Sequence, residues 1–247
     1  MGGSYASGIA TGKPRDVIPG NGRRADLAPT LTDPAPAVDT GAMPNGGFFI
    51  TLEGIDGSGT STQRDLLGEE LQRRGLDVHV TAEPSSGPIG RLIRQILRHD
   101  EEVVAAALAQ LFAADRLDHL AREIEPALER GAVVISDRYV LSSLAYQSID
   151  LPLEYVEEVN SLARVADVTF FLRCSPATAA ERRRGRGTPE ERFDPAPLQE
   201  KVARSYEEAL VRPAVGEIEV VDAEASIEAV AAEILGHVDA HLDSLVS

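Results

Sequence analysis

The chain has 247 residues, 43% of them apolar, and a formal net charge of −16. That is length enough for one large α/β domain, and no apolar run is long enough to span a bilayer. The acidic balance argues against a general nucleic-acid or membrane-surface binder, and a lone cysteine, Cys174, excludes a disulfide within the chain and fits a reducing, cytoplasmic setting.

Residues 1–45 are rich in Gly, Pro, Ala, Asp and Thr and show no sustained periodicity. They read as a disordered N-terminal extension or an over-extended reading frame, with Met43 as an alternative start. They lack the apolar core of a secretion signal. Residues 46–247 form the predicted domain.

The first predicted strand, 47–53, runs into Gly54-Ile55-Asp56-Gly57-Ser58-Gly59-Thr60-Ser61-Thr62, and a helix is predicted over 60–74. Strand, glycine-rich turn and helix N-terminus together make an anion site, because the unpaired backbone N–H groups point at a phosphate. The pattern is G-x-x-x-x-G-K-[ST] with one exchange. Both glycines and the Mg²⁺-binding hydroxyl of Ser61 are present, but Thr60 stands at the lysine position. A hydroxyl offers one neutral donor where lysine brings a full charge. Only Lys13 and Lys201 occur in the chain, so a replacement cation must be arginine or metal.

Further strands are predicted at 77–82, 132–136, 168–173 and 217–221. Helices are predicted at 88–98, 103–130 with an interruption near Pro126, 139–149, 152–164, 197–211 and 226–244. The alternation implies a parallel sheet with helices on both faces and a ligand site beyond the carboxyl ends of its strands. The second strand leads into Glu83-Pro84, and Arg91 and Arg94 follow on the next helix. Either arginine can face solvent or the site, and Arg94 can face back with Ile93 and Leu97 around it. On the long helix Phe112 and Arg116 are four apart, which suits stacking on a base and bonding its carbonyl. From spacing alone, a core phenylalanine beside a surface arginine is the preferred reading. The third strand ends in Asp137-Arg138-Tyr139: a strand-tip acid suits Mg²⁺, and the adjacent arginine suits a phosphate. Ser143, Tyr146 and Gln147 share a face of the following helix and can read the polar edge of a base. The densest basic cluster, Glu181-Arg182-Arg183-Arg184-Gly185-Arg186-Gly187, reads as a mobile lid over about 181–194.

Taken in order, these motifs resemble the thymidylate kinase family over residues 47–245. The markers are Glu53-Gly54-Ile55-Asp56-Gly57, Glu83-Pro84, Leu111-Phe112-Ala113-Ala114-Asp115-Arg116, Asp137-Arg138-Tyr139, Ser142-Ser143-Leu144-Ala145-Tyr146-Gln147 and the arginine-rich segment with Arg192-Phe193-Asp194. The resemblance implies a P-loop nucleoside monophosphate kinase fold and transfer of the ATP γ-phosphoryl group to dTMP with Mg²⁺, in a homodimer. It implies that residues 54–62 bind ATP and that Ser61, Asp56 and Asp137 surround the metal. Phe112 and Arg116 would contact thymine, Glu83, Ser143, Tyr146 and Gln147 would line the base and sugar, and Arg138 with Arg94 would hold the dTMP phosphate. Asp56, Arg138, Arg182, Arg184 and Arg186 would carry catalysis, the last three as lid arginines of the bacterial type, which fits Ser58 in place of a loop cation. Two departures stand out: Thr60, and Ala82 where an arginine often precedes Glu-Pro. Thr60 motivates the alternative of a catalytically weak or inactive nucleotide-binding protein.

Overall fold

The computed structural model describes residues 46–98, 103–185 and 195–246. The predicted extension at 1–45, most of the lid including Arg186, and Arg192-Phe193-Asp194 lie outside the described residues.

Five strands form one all-parallel sheet in the order β2-β3-β1-β4-β5. They are β1 (Phe48–Glu53), β2 (Val78–Ala82), β3 (Val133–Asp137), β4 (Val168–Arg173) and β5 (Ile218–Asp222). Central strands buried on both faces read as near-continuous apolar runs, and β1, with every residue buried, takes the middle of the sheet. Adjacent Phe170 and Phe171 show the two faces. The Phe170 ring meets His237 of helix α9 (Ile227–Val246) at 6.1 Å, and the Phe171 ring meets Tyr206 of helix α8 (Ala196–Ala209) at 5.2 Å. Successive side chains on a strand point to opposite faces, so helices cover both. The core is continuous from β1, β3 and β4 into both layers.

The register aligns the strand tips. Leu52 pairs with Asp137 across β1 and β3, and Ala82 pairs with Asp137 across β2 and β3. Glu53, Glu83 and Asp137 therefore leave the sheet on one rim, where the chain must turn into helices.

Three predicted elements differ from the structure. The helix predicted over 103–130 is three pieces: α3 (Ala105–His119), a π-helical turn (Leu120–Ile124) and α4 (Glu125–Glu129), with Pro126, which has no N–H to give to the preceding turn, at the junction of the last two. The helix predicted over 152–164 stops as α6 (Leu153–Val159), because the Asn160 side chain donates to Val156 O at 2.8 Å and ends the ladder. The lid prediction is corrected at its start: Pro176–Arg184 is a regular helix, α7, so Arg182, Arg183 and Arg184 sit on helical backbone. Ser175 caps it by accepting from Thr178 N at 3.2 Å, and Pro176 opens it. The Ser-Pro pair was the available signal.

Candidate active site

The phosphate loop is built by β1 and helix α1 (Thr60–Arg73). Gly57 adopts φ 96°, and a Cβ there would stand 2.4 Å from Ala179 O of α7. Gly59, with φ 106°, immediately precedes α1, and no side chain among the described residues caps that helix. The first N–H groups of α1 are thus left for a ligand to satisfy. Ser58 is buried and its Oγ has no partner among the described residues. Thr60, also buried, opens the first helical turn where a lysine side chain would emerge.

Beside the loop, Ser61 Oγ donates to Asp137 Oδ2 at 2.5 Å, whereas Asp137 Oδ1 is buried and without a hydrogen-bond partner among the described residues. A hydroxyl and a carboxylate with one oxygen left over are the hard-oxygen donors that Mg²⁺ prefers. The donor set therefore fits the ion.

Arg138 follows Asp137 with φ 72°, the left-handed region that side-chain-bearing residues rarely occupy. Such backbone costs about 1–3 kcal/mol and is held by its surroundings. Here Arg138 N donates to Leu52 O at 2.9 Å and Ser136 Oγ donates to Arg138 O at 2.8 Å. The twist turns the guanidinium back over the loop. Nη1 donates to Gly54 O at 2.9 Å and Nη2 to Asp56 Oδ1 at 2.5 Å. The other Asp56 oxygen accepts from Tyr146 Oη at 3.0 Å.

Glu53 organises this centre, a role that strand periodicity alone did not reveal. It is wholly buried and accepts from Tyr139 N (2.8 Å), Ser142 N (3.1 Å), Ser142 Oγ (2.5 Å) and Tyr206 Oη (3.2 Å). Burial pushes its carboxyl above the ordinary 4.5, against the opposing effect of the Ser142 hydrogen bond. Burial likewise lifts the Tyr146 phenol well above its usual range, so Tyr146 Oη stays a neutral donor.

A cleft of about 130 Å³ is lined by Asp56 and Arg138, by Phe112, and by Glu83, Ser143, Tyr146 and Gln147. Leu97 and Ser142, not foreseen, also line it. Phe112 is half-buried beside the small apolar cluster of Ile93, Ile96 and Leu108. Arg116 lines the cleft too, yet its guanidinium is already engaged. Nε donates to Glu83 Oε2 at 2.9 Å, Nη1 to Asn160 Oδ1, and Nη2 to Tyr139 O and Ser143 Oγ, both at 3.0 Å. Arg94 does not line the cleft. It donates to Pro84 O and Ser85 O and so props the turn after β2, while Arg91 is exposed and donates to Ser86 O.

Two arginines of α7 already touch the loop. Arg182 Nη1 donates to Ser58 O at 3.3 Å and its Nη2 to Ala223 O at 2.9 Å; Arg183 donates to Asp56 O. Arg184 is exposed and donates weakly to Ala180 O at 3.4 Å.

A parallel sheet, an uncapped helix behind a glycine loop, a strand-tip aspartate beside the loop hydroxyl and an adjoining cleft define a P-loop nucleoside monophosphate kinase, a phosphotransferase. The family described as Thymidylate kinase matches residues 52–234. Similar chains include a probable thymidylate kinase of Pyrobaculum aerophilum, 43% identical over 187 residues, which covers 75% of this chain and 93% of the relative. One of Pyrococcus abyssi is 40% identical over 195 residues (76% and 94%), and one of Thermococcus kodakarensis is 37% identical over 201 residues (78% and 97%). The chain belongs to the thymidylate kinase family. No helix among the described residues is long and apolar enough to cross a membrane.

Proposed function

We propose that this protein transfers the γ-phosphoryl group of ATP to dTMP, giving dTDP. The observation that carries the reading is the single cleft joining Asp56 and Arg138, at the mouth of the phosphate loop, to Phe112. It gives an acceptor nucleotide one place for its phosphate and another for its base.

The backbone N–H groups of Gly57–Ser61 grip the ATP phosphates. Ser61 and Asp137, with Asp56 nearby, would hold Mg²⁺, which when bound neutralises charge on the transferring group. Arg138 orients the dTMP phosphate for in-line attack, and Asp56 restrains Arg138. An ionised phosphate is already a nucleophile, so positioning and charge neutralisation suffice and no strong base is needed. Phe112 stacks on thymine, and Ser143, Tyr146 and Gln147 face its polar edge. Gln147 Oε1 supports this, being buried and unpartnered among the described residues. Glu83 and Arg116 form the wall on which the base and sugar rest, and Arg94 props the turn behind it. Arg182 steadies the loop through Ser58 O, and Arg184 and Arg186 bring lid charge to the phosphates. We place the enzyme in the cytoplasm as a homodimer.

Thr60 is the one feature favouring a non-catalytic nucleotide binder. A coupled assay of ADP release with ATP, Mg²⁺ and dTMP separates the readings. Steady turnover that prefers dTMP to dUMP is the expected result; binding of dTMP with no dTDP formed overturns the proposal, and a preference for dUMP overturns its base assignment.

A further inference from the structure

The phosphate loop lacks the ammonium that its pattern places at residue 60. The nearest arginines of α7, Arg182 and Arg183, are bound to the loop's own carbonyl oxygens. Arg138 is bound to Gly54 O and Asp56. Arg64 is placed differently. It lies four residues after Thr60 and three after Ser61 on α1, and so shares their face. Helical side chains lean toward the N-terminus, which carries its guanidinium back along the first turn.

The contacts agree. Arg64 Nη1 lies 3.9 Å from Asp137 Oδ2, the oxygen that accepts the Ser61 hydroxyl. Its side chain is only 21% exposed. Its remaining bonds, from Nε and Nη2, go to Asp65 Oδ1 at 2.8 and 2.6 Å. Asp65 is 56% exposed, and a screened pair of this kind holds its members weakly. The pair with Asp65 therefore leaves the guanidinium able to turn toward the metal and phosphate donors beside it.

We propose that Arg64 supplies the positive charge that Thr60 lacks, reaching the outer phosphate oxygens of ATP from one helical turn further along α1. The proposal rests on reading this loop as the ATP site. An arginine can serve there because its planar fork grips two phosphate oxygens at once, which offsets its greater distance along the helix.

The test measures binding by calorimetry with β,γ-imido-ATP and Mg²⁺, without dTMP, on the full chain. Arg64→Gln is expected to weaken binding about tenfold or more, the scale of one lost hydrogen bond to a charged group, with its urea midpoint unchanged. Thr60→Lys/Arg64→Gln is expected to recover most of that loss, because lysine at 60 makes the arginine redundant. Arg64→Ala, carrying a stronger helix former, gives the same comparison if the glutamine variant proves unstable. Parent-like affinity in Arg64→Gln overturns the proposal, and so does a double variant that binds no better than Arg64→Gln. Parent protein that binds the analogue but forms no dTDP overturns the kinase reading and leaves the Arg64 comparison intact.

Discussion

Removing the Arg116 guanidinium is expected to unfold the cleft wall before it alters base recognition. The side chain is 1% exposed, and all three of its nitrogens donate to protein. Its charge partner, Glu83, is 5% exposed and is also within 2.7 Å of Nη2. In Arg116→Met the Glu83 carboxylate keeps, of its side-chain partners, only His119 Nδ1 at 3.3 Å. Tyr139 O, Asn160 Oδ1 and Ser143 Oγ each lose a donor as well. Removing one member of a buried ion pair costs about 3–5 kcal/mol, mostly because the other charge stays buried. Neutralising both partners removes that residual charge, so Arg116→Met/Glu83→Gln is expected to recover about half of the loss or more. Urea unfolding of the two single variants, the double variant and the parent measures all four stabilities. A loss below about 1 kcal/mol in Arg116→Met, the size of an ordinary exposed pair, would refute the reasoning. So would a double variant as unstable as the sum of the singles. An arginine whose only task was the thymine carbonyl would instead raise the KM for dTMP at unchanged stability.

Two further predictions concern the loop and the centre behind it. Gly57→Ala places a Cβ 2.4 Å from Ala179 O at a φ of 96°, so loop and α7 must part. It is expected to cost about 1–3 kcal/mol and to abolish detectable ATP binding in calorimetry; parent-like binding would show that the loop and α7 need not stay in contact. The Glu53 carboxyl titrates above 4.5 in the folded protein because burial disfavours its charge. Between its unfolded and folded values the native state holds the proton more tightly, so stability falls as pH rises through that window. Relative to Glu53→Gln, which does not titrate, parent stability in urea is expected to drop as pH climbs from 4.5 and then level off. A difference that stays flat or grows with pH contradicts the assignment.

Much of this molecule is legible without coordinates, for local reasons. An unbroken apolar run marks β1 as a strand buried on both faces, and glycines at 54, 57 and 59 before a helical pattern mark an anion loop. The rule that ligands sit beyond parallel strand ends then brings Asp56, Asp137 and Arg138 together. Less legible were residues whose partners are distant in the chain. Glu53 reads as the last residue of a strand, yet it collects donors from residues 139, 142 and 206. Asn160 reads as an interior residue of the helix predicted over 152–164, yet it ends that helix and holds Arg116. Helix α7 was hidden under its arginine run, whose charge suggested a solvated loop, although Ser175-Pro176 marks its start.

The sequence by itself determined the strand–loop–helix order, the absence of lysine at residue 60 and the family, since these depend on the identity and spacing of neighbouring residues. Only the tertiary structure decided which arginines are committed and which remain available for phosphate. Guanidinium groups on α1, α3, α7 and the β3 rim compete for carbonyls and carboxylates contributed by other elements. That competition separates Arg116, embedded in a buried wall, from Arg64, held by a screened neighbour at the edge of the phosphate loop, and a hydrogen bond is settled by distance in space rather than separation in sequence.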